Sequence, residues 1–408
     1  MRTVLHFVGI LLLAFSPITS SRAVAQSQRF EATVIDAQTR EALPFASVFV
    51  SRTSSTISNA VGTFSIKCAP TDVLRISCVG YKTLYVQANR LGRHVGLQPL
   101  ENQLKEVIVK PVDLKSLIRK TTNELRNQLR KYDIRKSCFF YRQTTFADST
   151  CFELMEAFLQ AKSAVYLRDL FLLNGRFAGI QPDSLHRYAF WTNFFTVSEL
   201  PMLSRYDRYD NRDAKPLTRN YKDFYELDYD VMADSAGRLI AVHFTPKPDF
   251  KDPILAVTLY IDEQTHRLRK MEGEKRNVEI IHKELVIEQL DTTEVYRWIK
   301  SSEPSDFKLT VNMTEERGFL EVQSVYIDEQ FKRYGKQIST RSILFNVGDQ
   351  TASNERKRMW AFGDIHSFIR QQGYDPEFWH NNEIVRRTPV EEQVMELFEH
   401  QNLFGVFQ

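Results

Sequence analysis

Histidine, tryptophan and cysteine are scarce in this chain of 408 residues, at nine, four and four, and the scarcity removes whole classes of chemistry. No His-Glu-x-x-His, Gly-x-Ser-x-Gly, phosphate-binding glycine loop or Cys-x-x-Cys occurs, so no signature of a zinc peptidase, serine hydrolase, nucleotide-binding enzyme or dithiol redox protein is present. Charge of one sign is also missing: 54 basic against 51 acidic residues single out neither nucleic acid nor an anionic membrane as a partner. Beyond the N-terminus no apolar run approaches the ~20 residues of a membrane span.

What is present is ordinary globular material, 43% hydrophobic and 26% charged, which excludes wholesale disorder and fibrous folds. The length exceeds what one hydrophobic core usually serves, so two or more folding units are expected. With 29 Phe and 16 Tyr, half-buried β structure is favoured. Residues 1–25 read as a signal peptide: Arg2 gives the positive start, Val8 to Phe15 the apolar stretch and Ala23-Val24-Ala25 the cleavage site. The mature chain is expected to start at Gln26, exported to the periplasm or outer membrane and without a transmembrane span. No cysteine adjoins the cleavage site, so no lipid anchor is expected. Cys68, Cys78, Cys138 and Cys151 read as buried thiols, because hairpin turns at 69–72 and 147–150 would leave neither neighbouring pair opposed.

From Arg29 to Pro111, short alternating segments are separated by turn residues: Phe30 to Asp36, Leu43 to Val50, Ser58 to Phe64, and Leu74 to Tyr81. The order resembles the carboxypeptidase-regulatory-like domain found in envelope proteins of Bacteroidetes. That resemblance implies a seven-stranded, transthyretin-like β-sandwich at 26–111 acting as a docking module rather than a peptidase. Glu31, Thr39 and Arg40 stand where the family usually places glycines near the first strand and turn. Leu104 to Val109 resembles the linker that follows this domain in outer-membrane receptors.

At 113–132 the period changes to that of a helix, with Leu114, Leu117, Ile118, Thr121, Leu125 and Leu129 on one face and Asp113 as N-cap. We read 112–136 as a linker helix. Cys138-Phe-Phe-Tyr141-Arg142, a turn, and then Glu156-Ala157 resemble the opening of uncharacterised envelope proteins that carry the same domain, as do Tyr374 to Asn382 and Pro389 to Gly405 in the tail. Between them, alternation at 225–231, 240–244, 255–261, 309–313 and 320–326 with turns at 234–237 and 262–265 predicts an antiparallel meander over 137–373. Phe244-Thr-Pro246, Ala256 to Asp262 and Leu268-Arg-Lys resemble the LolA/LolB arrangement, which implies a curved sheet with flanking helices around an apolar cavity. Residues 374–408 read as a helical tail packed on that unit.

The search for chemistry yields weak candidates. The one His-x-x-Glu, His380-Asn-Asn-Glu383, has only His400 beyond it and lacks a distant third ligand. Glu153 with Glu156 and Asp228 with Asp230 are carboxylate pairs that solvated strand faces explain equally well. Asp207, Asp210 and Asp213 lie in a loop interleaved with arginines, which disfavours calcium. Phe190, Trp191, Phe194 and Phe195 form the best ligand-binding candidate, an aromatic group able to line an apolar pocket or a glycan platform, with domain-interface packing as the alternative. The expected protein is a mainly β, exported, non-catalytic binding or assembly protein with no metal or cofactor. The alternatives are an apolar-ligand carrier, which requires a cavity lined by the alternating residues, and a hydrolase, which requires a convergent polar cluster with perturbed titration.

Overall fold

The structure, a computed structural model, describes residues 27–51, 54–103, 111–131, 136–163, 167–180, 189–190, 216–218, 220–234, 237–249, 255–278, 281–287, 294–300, 305–316, 318–333, 335–348, 357–358, 365–382 and 384–405. Residues 1–25, read from sequence as a signal peptide, and residues 104–109 and 207–213 lie outside the described residues.

Seven strands form the N-terminal sandwich: β1 (Gln28–Asp36), β2 (Ser47–Ser51), β3 (Ser54–Ile57), β4 (Thr63–Cys68), β5 (Val73–Ser77), β6 (Leu84–Gln87) and β7 (His94–Leu97). They make two sheets, ordered β4-β1-β7 and β3-β2-β5-β6. Alternation builds the core between them: Val34, Phe64, Ile66, Val48, Leu74, Ile76 and Leu97 point inward and are buried. Two details differ from the sequence expectation. The 69–72 turn carries the chain between sheets instead of closing a hairpin, and β1 pairs β7 in parallel. Gly62 sits at φ +77°, where a Cβ would stand 2.8 Å from the Val34 carbonyl oxygen, so the turn into β4 requires glycine. None of the four cysteines forms a disulfide.

The second unit begins with β8 (Glu101–Gln103) and α1 (Leu114–Lys131), followed by β9 (Lys136–Ala147), β10 (Thr150–Ser163), β11 (Leu167–Gly179) and β12 (Ala189–Phe190). After α2 (Tyr221–Phe224) come β13 (Tyr225–Asp234), β14 (Gly237–Pro246), β15 (Ala256–Asp262), β16 (Leu268–Val278), β17 (Ile281–Ile287) and β18 (Glu294–Lys300). The chain continues through β19 (Ser305–Glu316), β20 (Phe319–Arg333), β21 (Lys336–Gly348), β22 (Lys357–Arg358), α3 (Ile365–Gln372), α4 (Pro376–Asn381) and α5 (Pro389–His400). One sheet runs β22-β11-β10-β9-β21-β20-β19-β16-β15-β14-β13-β8, and β12-β17-β18 form a small separate one. The molecule is therefore mostly β, two N-terminal sheets followed by a large antiparallel sheet. Glu101–Gln103, read from sequence as part of the sandwich, instead adds the edge strand β8 to that sheet.

The large sheet is covered on both faces. On the inner face, Phe139, Tyr141, Met155, Leu159, Val242 and Leu259 pack with Leu117, Ile118 and Leu125 of α1, Tyr221 of α2, and Ile365 and Ile369 of α3. The helix Leu114–Lys131 thus packs its apolar face onto the second unit as part of its core. Its start is as expected, the Asp113 carboxylate accepting from the Ser116 amide at 3.0 Å. On the outer face, Phe140, Phe158, Ile343 and Phe345 meet Trp379 and Val385 of the tail and Ile57 of the sandwich. The tail therefore packs on both units. The Thr56 hydroxyl donates to the Ile384 carbonyl at 2.6 Å, and the Asn59 amide to that of Arg387 at 3.1 Å. Within the tail, the apolar spacing of Val394, Leu397 and Phe398 predicts a helix only from Glu391 to Glu399. The helix starts at Pro389 because Thr388 and Glu391 form a reciprocal capping box with proline at the first helical position. Among the described residues, no helix is long and apolar enough to cross a membrane.

Candidate functional site

Two places collect polar side chains. The first is a cleft of about 430 Å³ between the sandwich and the large sheet. Because residues alternate along a strand, Ser47 of β2, Arg75 and Ser77 of β5 and Tyr85 of β6 turn away from the sandwich interior and line one wall. Phe49 stands opposite Arg75, and Arg75 opposite Tyr85, so one row runs across three strands. The Arg75 guanidinium lies 4.8 Å from the Phe49 ring centre, and Tyr85 is 66% exposed. Ser47 and Ser77 form the next row. Phe45 packs on Tyr326 with ring centres 4.3 Å apart, and the Gln323 amide donates to the Ser47 hydroxyl at 2.5 Å; both contacts fix the sandwich on the sheet.

The opposite wall comes from the start of β14, the end of β15 and the turn after it, the start of β16, and β19, contributing Arg238, Asp262, Gln264, Arg269 and Glu315. Its charges are matched. Arg269 lies 3.1 Å from Asp262 and 3.5 Å from Glu315, and Arg238 lies 3.1 Å from Glu263. Burial alone would raise the Asp262 carboxyl, but the Thr265 amide and Arg269 outweigh it and hold the group below its usual range. Deeper in the cleft the Tyr81 phenol donates to Asp36 at 3.0 Å, and burial together with that carboxylate pushes its pKa well up.

The second place is closed. Arg142, Glu156 and Arg176 are directly opposite one another on β9, β10 and β11 and form a row on the outer face. Arg142 donates to one Glu156 oxygen at 2.6 Å and Arg176 to the other at 2.8 Å. Burial would raise the Glu156 carboxyl, but the guanidiniums of Arg176, Arg142 and Arg387 overcome it and hold the pKa far below the carboxylate range. The tail seals the row: Arg142 also donates to the Val385 carbonyl at 2.9 Å, while Trp379 and Phe404 lie 4.5 and 4.9 Å from the Arg176 guanidinium. The two sequence segments singled out above, at 138–157 and 374–405, therefore meet in this cluster.

Of the other sequence candidates, Asp228 and Asp230 share one exposed face of β13, as the strand reading expects, and the rest separate. Glu153 and Glu156 lie on opposite faces of β10, Glu153 accepting from Gln143 and Glu156 from the arginines, so they are not an acid–base pair. Asp230 is exposed and lies 3.0 Å from His243, whose other ring nitrogen lies 3.0 Å from the Thr258 hydroxyl. His380 lies in the last turn of α4 and His400 ends α5, while Glu383 lies outside the described residues. Among the described residues no three His, Cys, Asp or Glu side chains are grouped to hold a metal. Phe190 is on β12, paired opposite Leu285, and Trp191, Phe194 and Phe195 lie outside the described residues. Arg75 and Tyr85 were missed as candidates, although alternation in Val73–Ser77 and Leu84–Gln87 already turns both away from the core.

Residues 31–109 match the model of the CarboxypepD_reg-like domain, which places that domain on the sandwich. No curated protein matches the chain. Among solved structures, the LolA superfamily protein NE2245 from Nitrosomonas europaea is similar at 10% identity and a TM-score of 0.21, over 59% of this chain and 96% of that one. A DUF1329 family protein from Desulfovibrio piger is similar at 10% identity and a TM-score of 0.21, over 62% and 98%. The MucA/MucB complex of Pseudomonas aeruginosa contains a chain similar at 8% identity and a TM-score of 0.15, over 55% and 93%. At these scores the superpositions carry no functional argument, and the fold rests on the strand order.

Proposed function

We propose that this is an exported, non-catalytic binding or assembly protein of the cell envelope, with the regulatory-like sandwich as its docking module. The observation that carries the reading is the way the tail joins both units. It closes the Arg142–Glu156–Arg176 row and bonds to β3 and the following turn of the sandwich, so the sandwich's outward wall is presented at a fixed angle to the large sheet. The convergent, strongly perturbed polar cluster that a hydrolase would need is the same row. With Arg142 at 3% and Glu156 at 1% exposure it is sealed from substrate, which supports a structural role for it. The alternating apolar residues of the inner face pack against α1, α2 and α3, which supports a filled face over a carrier's cavity.

The test is native purification from envelope fractions after mild cross-linking, with mass spectrometry for proteins, saccharides and lipids. A defined envelope protein or saccharide is expected, with lipid well below one molecule per chain and a melting temperature unchanged by lipid extraction. One acyl chain per protein, with melting temperature falling on extraction, would replace this reading by that of a carrier. Recovery of no partner of any class would remove the binding role.

A further inference from the structure

We infer that the cleft between the sandwich and the large sheet takes an acidic saccharide, one sugar ring lying on Tyr85 and its carboxylate held by Arg75. This rests on the binding role proposed above and names the ligand class for it. Three features of the cleft converge on that chemistry.

The first is the row Phe49, Arg75, Tyr85. Register sets a cation between two aromatic rings on a face that turns away from the sandwich core, and Tyr85 keeps most of its surface in solvent. An aromatic ring left open beside a polar cleft offers a flat apolar platform with a polar tip, suited to a sugar, which has an apolar C–H face and a hydroxylated rim. The second is charge. Arg238 and Arg269 are neutralised by Glu263, Asp262 and Glu315, whereas Arg75 has the Phe49 ring beside it and no carboxylate within ion-pair distance among the described residues. One uncompensated guanidinium at the mouth selects a ligand carrying an anion it can grip through two parallel N–H bonds. A neutral sugar leaves that charge unused, and a nucleic acid needs several such cations along its backbone. The third is Ser77 in the next row, with Thr83 lining the same cleft. Small hydroxylated side chains leave room above the strand and supply donors and acceptors that match ring hydroxyls. An acidic peptide would satisfy Arg75 but has no rigid face for the Tyr85 platform.

The test is calorimetric titration of the intact protein with tetragalacturonate, using maltotetraose and tetraglutamate as the neutral-sugar and anionic-peptide controls. Saturable binding of tetragalacturonate is expected, weakened about tenfold or more by Arg75→Gln, as befits a hydrogen bond to a charged group. Tyr85→Ala is expected to weaken it about fivefold through lost stacking. Both side chains are exposed, so unchanged melting temperatures will show that the variants fold. Maltotetraose and tetraglutamate are each expected to bind more weakly. Absent binding of tetragalacturonate, equal binding of tetraglutamate, or an affinity indifferent to both substitutions would overturn the inference. In that event recovery of an envelope protein in the cross-linking experiment would leave the binding role standing, whereas failure of both would remove the two together.

Discussion

Glu156→Gln is expected to lower folding stability by about 3–5 kcal/mol, read as a fall in the urea midpoint, because removing one partner of a buried ion pair leaves the other charges uncompensated. The carboxylate lies between two guanidiniums that are 3% and 2% exposed and have no water to turn to. The other carboxylates nearby are weaker partners: Glu391 is 3.8 Å from Arg142 and already bonded to Thr388, and Glu399 is 3.6 Å from Arg176 with 54% of its side chain exposed. Glu399→Gln is the internal control, expected to cost under about 1 kcal/mol as exposed pairs do. Equal losses for the two variants would refute the role given to the buried row.

The same row sets an acid limit. Arg176, Arg142 and Arg387 overcome the burial that would raise Glu156, so its folded pKa lies below its unfolded value of about 4.3. A depressed carboxyl contributes stability that is complete above the unfolded pKa and is lost as pH falls toward the folded one. The gap between the wild-type protein and Glu156→Gln is therefore expected to be full at pH 7 and to narrow below about pH 4.3. Urea titrations at successive pH values measure it directly, and a gap that widens on acidification would contradict the assignment.

Much of the architecture was legible because it follows from short-range rules. Alternation and turn residues located β1, β2 and β5 of the sandwich, the turns at 234–237 and 262–265, and the apolar stripe and cap of α1, whereas the segment Ser58 to Phe64 spans the turn between β3 and β4 and no segment marked β6 or β7. Register was not legible, and it decides the buried row. Extending the pairing of Thr150 with Ala147 and Cys151 with Phe146 would set Met155 opposite Arg142 and turn Glu156 to the other face. A β-bulge between Cys151 and Glu153 shifts the ladder by one residue, so Glu156 meets Arg142. The cleft was hidden for a different reason. It is made by two units whose mutual placement depends on Phe45 with Tyr326, Ser47 with Gln323, and a tail more than 300 residues away from the strand it binds. No local pattern encodes such contacts.

Gly175→Ala is expected to destabilise the protein by about 1–3 kcal/mol, the usual cost of forcing extra volume into a packed core. Gly175 lies on β11 beneath α3, and a Cβ there would stand 2.3 Å from Cγ1 and 2.9 Å from Cδ1 of Ile369. Ile369 is 3% exposed, and its branched side chain is stiff at χ1, so it cannot swing aside and the helix itself must lift. Glycine here answers to space: its φ is not among the positive ones, so the expected loss reports the contact and not backbone strain. The Ile369→Ala variant alone should lose about 2–5 kcal/mol by opening a cavity. In the double variant the new methyl at 175 occupies part of that cavity, so the two losses should fall short of additive by about 1 kcal/mol or more. A double-mutant cycle in urea measures this coupling. Strict additivity would mean that α3 does not rest on Gly175, and the helix would then have to be removed from the layer that fills the inner face of the sheet.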